Sequence, residues 1–200
     1  MPSPKYTQRL PKYLTQNDIR AFFGVIQDPR DRALFAVIYH YGLRVSEVGL
    51  LERDDIDLER GRIVVKRVKG GLWAERPLFS ATRALLEVHF SRPGVNGHTA
   101  LFPGRLDALK KRQIQALFAR YRDAACIPRR LTCHSLRHAI ATHLLDAGVS
   151  LEFVQDHLGH RSIKSTSIYA RITDQHRTAI FRELEASPWI VHPGHTAYTG

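Results

Sequence analysis

From His134 to Tyr169 the chain reads HSLRHAIATHLLDAGVSLEFVQDHLGHRSIKSTSIY, and the local structure of this stretch decides what surrounds it. His134 and Arg137 are three apart at the start of an amphipathic helix, so their side chains leave from one face and converge on a site the size of a phosphate. Leu136, Ile140, Leu144 and Leu145 occupy the other side of that helix, and Gly148 stands where a left-handed C-terminal cap is expected. Ser150 caps a second short helix, LEFVQDHL, which Gly159 closes before His160. A third segment, SIKSTSIYAR, carries Tyr169 nine residues after His160. Three short helices joined by tight turns thereby deliver two histidines, an arginine and a tyrosine.

Taken singly, each of these is an ordinary structural side chain. As an ordered set, H-x-x-R, then L-G-H, then a tyrosine resembles the carboxyl-terminal signature of the tyrosine recombinases, the lambda-integrase and Xer family. That family carries an earlier arginine in a G-L-R-x-S-E context, and here Gly42-Leu43-Arg44-Val45-Ser46-Glu47 matches it. It also carries a lysine in a β-hairpin beyond that arginine; Lys69, followed by Gly70-Gly71, stands at the matching place, with Lys66 the alternative three residues earlier. The resemblance runs from Leu14 to Ala186.

The resemblance implies a mainly α fold with a small antiparallel β-hairpin or sheet, an α+β catalytic domain over 14–186 with a basic lead (1–13) and a tail (187–200). It implies a site-specific recombinase that cleaves and rejoins DNA through a 3′-phosphotyrosyl link, with no cofactor, neither ATP nor metal. Tyr169 would be the nucleophile and Arg44 and Arg137 the grip on the non-bridging oxygens. His160 would hydrogen-bond the phosphate, His134 would position it or take the tyrosine proton, and Lys69 would protonate the leaving 5′-oxygen. The partners implied are double-stranded DNA with paired sites, accessory DNA-binding proteins and three further copies in a homotetramer on DNA, the free chain being a monomer. Because the resemblance starts near the amino terminus, the expectation is a short single-domain form resembling the fimbrial-switch invertases, without the family's helical core-binding domain. Two alternatives share the scaffold: a DNA-binding regulator without catalysis, and type IB topoisomerase-like relaxation.

Charge points the same way independently. Lysine and arginine number 30 against 19 acidic residues, a net charge of +11 and an isoelectric point near 10.1, so a polyanion is the expected partner. From Arg105 to Arg137 nine basic residues face two acidic ones; a solvated helix face would mix signs. Lys110, Lys111, Arg112, Arg129, Arg130 and Thr132 in this stretch are expected on the DNA backbone, as are Lys66, Arg67 and Arg76 of the hairpin and Lys164. No run approaches the roughly 20 apolar residues of a membrane span, and the amino terminus lacks a signal-peptide centre, so the expected location is cytoplasmic, on the nucleoid. Cys126 and Cys133 lack metal-site spacing and are expected to be reduced and structural. His134 and His138, four apart, lack the H-E-x-x-H pattern of a zinc enzyme.

Elsewhere the chain reads as helices with strong punctuation. Thr15-Gln16-Asn17-Asp18 is a capping box opening a helix with Ile19, Phe22, Phe23 and Ile26 on one side. Pro29 and Asp31 begin a second helix, with Leu34, Phe35, Ile38 and Tyr39 at helical spacing, which Gly42 ends. Ser46 is expected to start a helix through Leu51, with Glu47 either capping it or orienting Arg44. Asp54 to Asp57 reads as a turn, Arg62–Val68 and Glu75–Phe79 as hairpin strands, and Ser80 or Thr82 as the cap of a further helix. Lys111 to Ala125 reads as a helix with Ile114, Leu117, Phe118 and Tyr121 inward and Arg112, Arg120 and Arg122 outward.

Overall fold

The computed structural model describes residues 12–68, 73–95, 97–104 and 107–159. Lys69, His160, Lys164 and Tyr169 lie outside the described residues, as does the helix expected after Tyr169.

The centre of the fold is α2 (Pro29–His40), in which Ala33 to Ile38 are all buried. A helix apolar on every side can only sit inside others, and α4 (Ser80–Phe90) and α6 (His134–Asp146) pack on it. Asp28 caps its start by accepting from the Asp31 amide at 3.1 Å, with Pro29 at the first helical position. Across the other side lie α1 (Gln16–Gly24), opened by the expected Thr15–Asp18 capping box, and α5 (Lys111–Ala124). Phe22, Phe35, Phe118 and Tyr121 interlock there with centroids 5.0–6.3 Å apart. The Tyr121 hydroxyl donates to buried Asp31 at 2.7 Å, which gives this aromatic layer a polar pin. Cys133 is buried among the core residues, while Cys126 is exposed.

A three-stranded antiparallel sheet, β1 (Ile56–Asp57), β2 (Arg62–Val65) and β3 (Ala74–Pro77), stands at the edge, with Ile56 opposite Ile63 and Val64 opposite Glu75. The fold is mainly α with a small sheet, as the sequence implies, but four details differ. The segment read as a turn, Asp54 to Asp57, is a 3-10 turn (Arg53–Asp55) followed by β1. β2 stops at Val65 because Lys66 and Arg67 turn inward instead of continuing the alternation, and β3 runs only to Pro77, which pairs with Arg62 at the start of β2. The helix expected through Leu51 is a single turn, α3 (Val45–Val48). It ends because the backbone at Leu51 and Arg53 pairs with Leu101 and Thr99, at 2.9 and 2.8 Å. Neither Ser80 nor Thr82 caps α4, whose N-cap position is Phe79; Thr82 is buried and its hydroxyl meets His40 Nδ1 at 2.7 Å.

A second apolar cluster joins α6 to α7 (Leu151–Leu158) through Ile140, Ala141, Leu145, Val154 and Leu158. Gly148 and Gly159 adopt the expected left-handed conformation, and the Ser150 hydroxyl accepts from the Phe153 amide at 3.2 Å. Gly42 is the tightest point between the clusters: its φ is +55°, and a Cβ there would lie 2.4 Å from Leu158 Cδ2. Gly42→Ala is therefore expected to cost about 2–3 kcal/mol, read by chemical denaturation. A loss below about 0.5 kcal/mol, the range of an ordinary surface change, would show that α7 does not press on this turn.

Candidate active site

Two helices end at the same place. α2 leaves its last carbonyls unpaired at Tyr41 and Gly42, and α7 does so at His157 and Leu158; such groups need donors. Arginine supplies them. Arg137, 1% exposed, donates NH1 to the Gly42 carbonyl and NH2 to that of Leu158 at 2.8 Å. Arg67 donates to the carbonyls of Tyr41 (3.0 Å), Gly42 (3.3 Å) and His157 (2.6 Å). His157 closes the junction by donating Nε2–H to the His40 carbonyl at 2.8 Å.

Glu47 balances this cationic knot. It is wholly buried, and one carboxylate oxygen accepts from the Arg44 amide (2.8 Å) and Arg67 NH1 (3.0 Å), with Arg137 NH1 at 4.0 Å. The other accepts from Arg44 NH1 (2.9 Å) and the Val68 amide (3.4 Å). Of the two roles open to Glu47 in the sequence, capping α3 and orienting Arg44, the geometry gives it both. Burial pushes its carboxyl up, but the Arg44 amide and the Arg67 and Arg44 guanidiniums outweigh burial and hold it below its ordinary value. One carboxylate set against Arg44, Arg67 and Arg137 leaves positive charge in excess, even with roughly half a negative charge from each helix end.

That excess opens onto a cleft of about 490 Å³ between α3, α5 and the loop before α6, with Arg44, Lys111, Thr132 and His134 on its walls. Arg44 is about a third exposed (36%) and held from behind by Glu47, so it presents a fixed cation. His134 is desolvated by the surrounding protein, and the charges of Arg137 and then Arg44 add to that in depressing its imidazole, which leaves it neutral at pH 7. His138 packs edge-on against it with centroids 4.5 Å apart, and its own imidazole is pushed down to about 4 by burial first and then by His134 and Arg137.

Of the residues expected at the site, the structure thus brings Arg44, Glu47, His134 and Arg137 together. Arg137 does not stand beside His134 as an open receiver; it is buried and does not line the cleft. Lys110, Lys111, Arg112, Arg129, Arg130 and Thr132 are exposed, as a DNA surface requires. Two expected DNA contacts, Lys66 and Arg67, are corrected, while Arg76 keeps a partly exposed side chain. Lys66 is 7% exposed and tied to Glu52 (2.7 Å) and Asp55 (2.9 Å), which also removes it as the alternative to Lys69. Arg67 is the internal brace just described, and Arg76 bridges to Asp156 on α7 at 2.6 Å. Arg122, read as outward, braces the loop before α6 through the carbonyls of Arg129 and Leu131, both at 3.1 Å.

A mainly helical fold that sets clustered arginines and a histidine beside a basic cleft defines a class of protein with a preformed anion site. The comparisons with known proteins narrow it: the phage integrase family model matches residues 12–176. The chain belongs to this family, the tyrosine recombinases. It is 38% identical over 181 residues to tyrosine recombinase XerA of Thermococcus kodakarensis, covering 86% of this chain and 62% of that protein. It is 37% identical over 194 residues to tyrosine recombinase XerD of Xanthomonas campestris, covering 86% and 59%. The chain thus spans roughly three fifths of these relatives' length. Its fold matches the crystal structure of XerA recombinase with a TM-score of 0.74 at 24% identity, covering 92% of this chain and 66% of that one. The XerH site-specific recombinase bound to palindromic difH substrate, in a post-cleavage complex, gives 0.74 at 25% identity, covering 88% and 54%.

Glu47→Gln removes the only carboxylate seen against these arginines among the described residues and is expected to cost about 3 kcal/mol at neutral pH. A depressed folded pKa gives stability that is full above the unfolded value of 4.5 and is lost as pH falls through the folded value. The gap between wild type and Glu47→Gln should therefore shrink below pH 4.5 in denaturation series; a gap that holds constant there would rule out an ionised Glu47.

Proposed function

We propose that this chain is the catalytic part of a site-specific DNA recombinase, which integrates, inverts or resolves DNA through a 3′-phosphotyrosyl intermediate. The observation that carries the reading is the triple Arg44, Glu47 and Arg137 beneath His134 on a basic cleft wall, in a chain that carries Tyr169 at the family's spacing. The catalytic domain is taken as 14–186, with 1–13 a lead that touches DNA and 187–200 a tail.

In the reaction the Tyr169 hydroxyl oxygen attacks the scissile phosphorus in line, its proton passing to neutral His134. The new P–O bond to tyrosine forms as the P–O5′ bond breaks. Lys69 gives its proton to the departing 5′-oxygen. Arg44 holds a non-bridging oxygen from its fixed position, and His160 hydrogen-bonds the phosphate. Arg137 adds charge from its buried position behind the cleft, where low dielectric makes it count for more. The phosphotyrosyl link keeps the energy of the broken bond, so a 5′-hydroxyl from another strand reverses the step without ATP or metal. Double-stranded DNA with paired sites is the substrate, met on the nucleoid by a homotetramer that assembles from free monomers, with accessory DNA-binding proteins where needed. XerH, solved on its difH substrate, supports a DNA partner, and so does the exposed row Lys110, Lys111, Arg112, Arg129 and Arg130.

The test is incubation with nicked or supercoiled DNA from the native neighbourhood, in chelator, followed by a denaturing gel. Wild type is expected to leave a covalent protein–DNA adduct, and Tyr169→Phe to bind without forming one. Binding with no adduct from wild type would favour a regulator; adducts with relaxation but no strand exchange would favour a topoisomerase-like activity.

Salt gives a second check. Lys111→Ala and Arg112→Ala should each weaken binding uniformly across DNA sequences and flatten the dependence of affinity on salt by about one unit of slope. An unchanged slope would place these residues off the DNA.

A further inference from the structure

Arg67 stands two residues before Lys69, yet its guanidinium meets no solvent-facing groove: the side chain is 5% exposed and is bonded to Glu47 and to the carbonyls of Tyr41, Gly42 and His157. Its stem lies against Gly159, where a Cβ would come within 3.1 Å of Nε and 3.4 Å of Cδ and Cγ. The next residue, Val68, gives its amide to the same Glu47 carboxylate. One side chain and the adjoining amide therefore fasten the root of the β2–β3 turn to the end of α7, one residue short of His160, and to the carboxylate that aims Arg44.

A turn that needed only to reverse direction would not require a charge to be desolvated at its root, since burying a guanidinium is favourable only when its donors are well matched. Here the matching groups belong to the segments that lead to Arg44 and towards His160. We propose that Arg67 is a positioning residue for strand cleavage: it holds the root of the Lys69 turn in register with the site, so that the lysine proton reaches the departing 5′-oxygen. This rests on the recombinase reading. Proton transfer needs heavy atoms within about 2.6–3.2 Å, and a misplacement of about 1 Å costs on the order of a hundredfold in rate.

The experiment is single-turnover cleavage of a nicked suicide substrate by wild type, Arg67→Met, Arg67→Lys and Lys69→Ala. Each protein is run on normal DNA and on DNA with sulfur replacing the bridging 5′-oxygen of the scissile phosphate. A thiolate leaves without a proton, so sulfur removes the need for the acid and nothing else. Arg67→Met is expected to bind DNA as wild type does, to cleave the oxygen substrate about a hundredfold more slowly, and to recover most of that loss on sulfur. Lys69→Ala should recover likewise, and Arg67→Lys should fall between. The sulfur-to-oxygen rate ratio is measured within one preparation, so partial unfolding cancels; if Arg67→Met does not fold, Arg67→Lys carries the test. Equal losses on both substrates, wild-type rates for the variants, or no sulfur recovery in Lys69→Ala would each overturn the proposal. Absence of any adduct from wild type would instead overturn the recombinase reading beneath it.

Discussion

Two helices meet end to end with their carbonyls facing, an arrangement that repels unless cations come between. Arg67 and Arg137 are those cations, and Glu47 is the counter-ion that makes their burial tolerable. Remove the carboxylate and the guanidiniums repel; remove the guanidiniums and four carbonyls lose their donors in the interior. The carboxylate and the two guanidiniums thus make one another's burial less costly. Three parts of the molecule are braced on this junction: Arg44 through Glu47, α6 through Arg137, and α7 through both buried arginines.

The arrangement also divides the work among three arginines that look alike in composition. Arg44 is placed to act outward because its second partner is a carboxylate beneath it, whereas Arg67 and Arg137 are committed to backbone oxygens. A planar, permanently charged fork suits this internal task, since one side chain can reach two or three carbonyls at once; a lysine would offer a single point. Preorganisation follows, because a phosphate entering the cleft meets a charge whose orientation is already fixed.

Much of this was legible in the sequence, and the limits have physical causes. Capping residues announced themselves: Thr15, Ser150, Gly148 and Gly159 act locally, within a turn of the groups they satisfy. The candidate constellation was legible through motif spacing, and Arg44, Glu47, His134 and Arg137 do gather. What could not be read were the choices made by distant parts of the chain. α3 is one turn because residues near Thr99 claim the backbone at Arg53. Lys66 and Arg67 sit in a basic hairpin that reads as a DNA surface, yet their partners are Glu52, Asp55, Glu47 and His157, up to 90 residues away. Periodicity carried one hint only: two apolar positions, Ile63 and Val65, are followed by two charged ones that break the alternation.

The brevity of α3 has a consequence for the order in which the molecule assembles. A four-residue helix cannot persist alone, since nucleation costs more than one turn returns. It exists once Glu47 has found arginines at positions 67 and 137, and those in turn require the ends of α2 and α7, contacts separated by 20 to 95 residues. Such long-range closures form late on the way to the native state. An Arg44 aimed by Glu47 is thus a property of the completed fold, since the contacts that hold the junction together span 20 to 95 residues of chain.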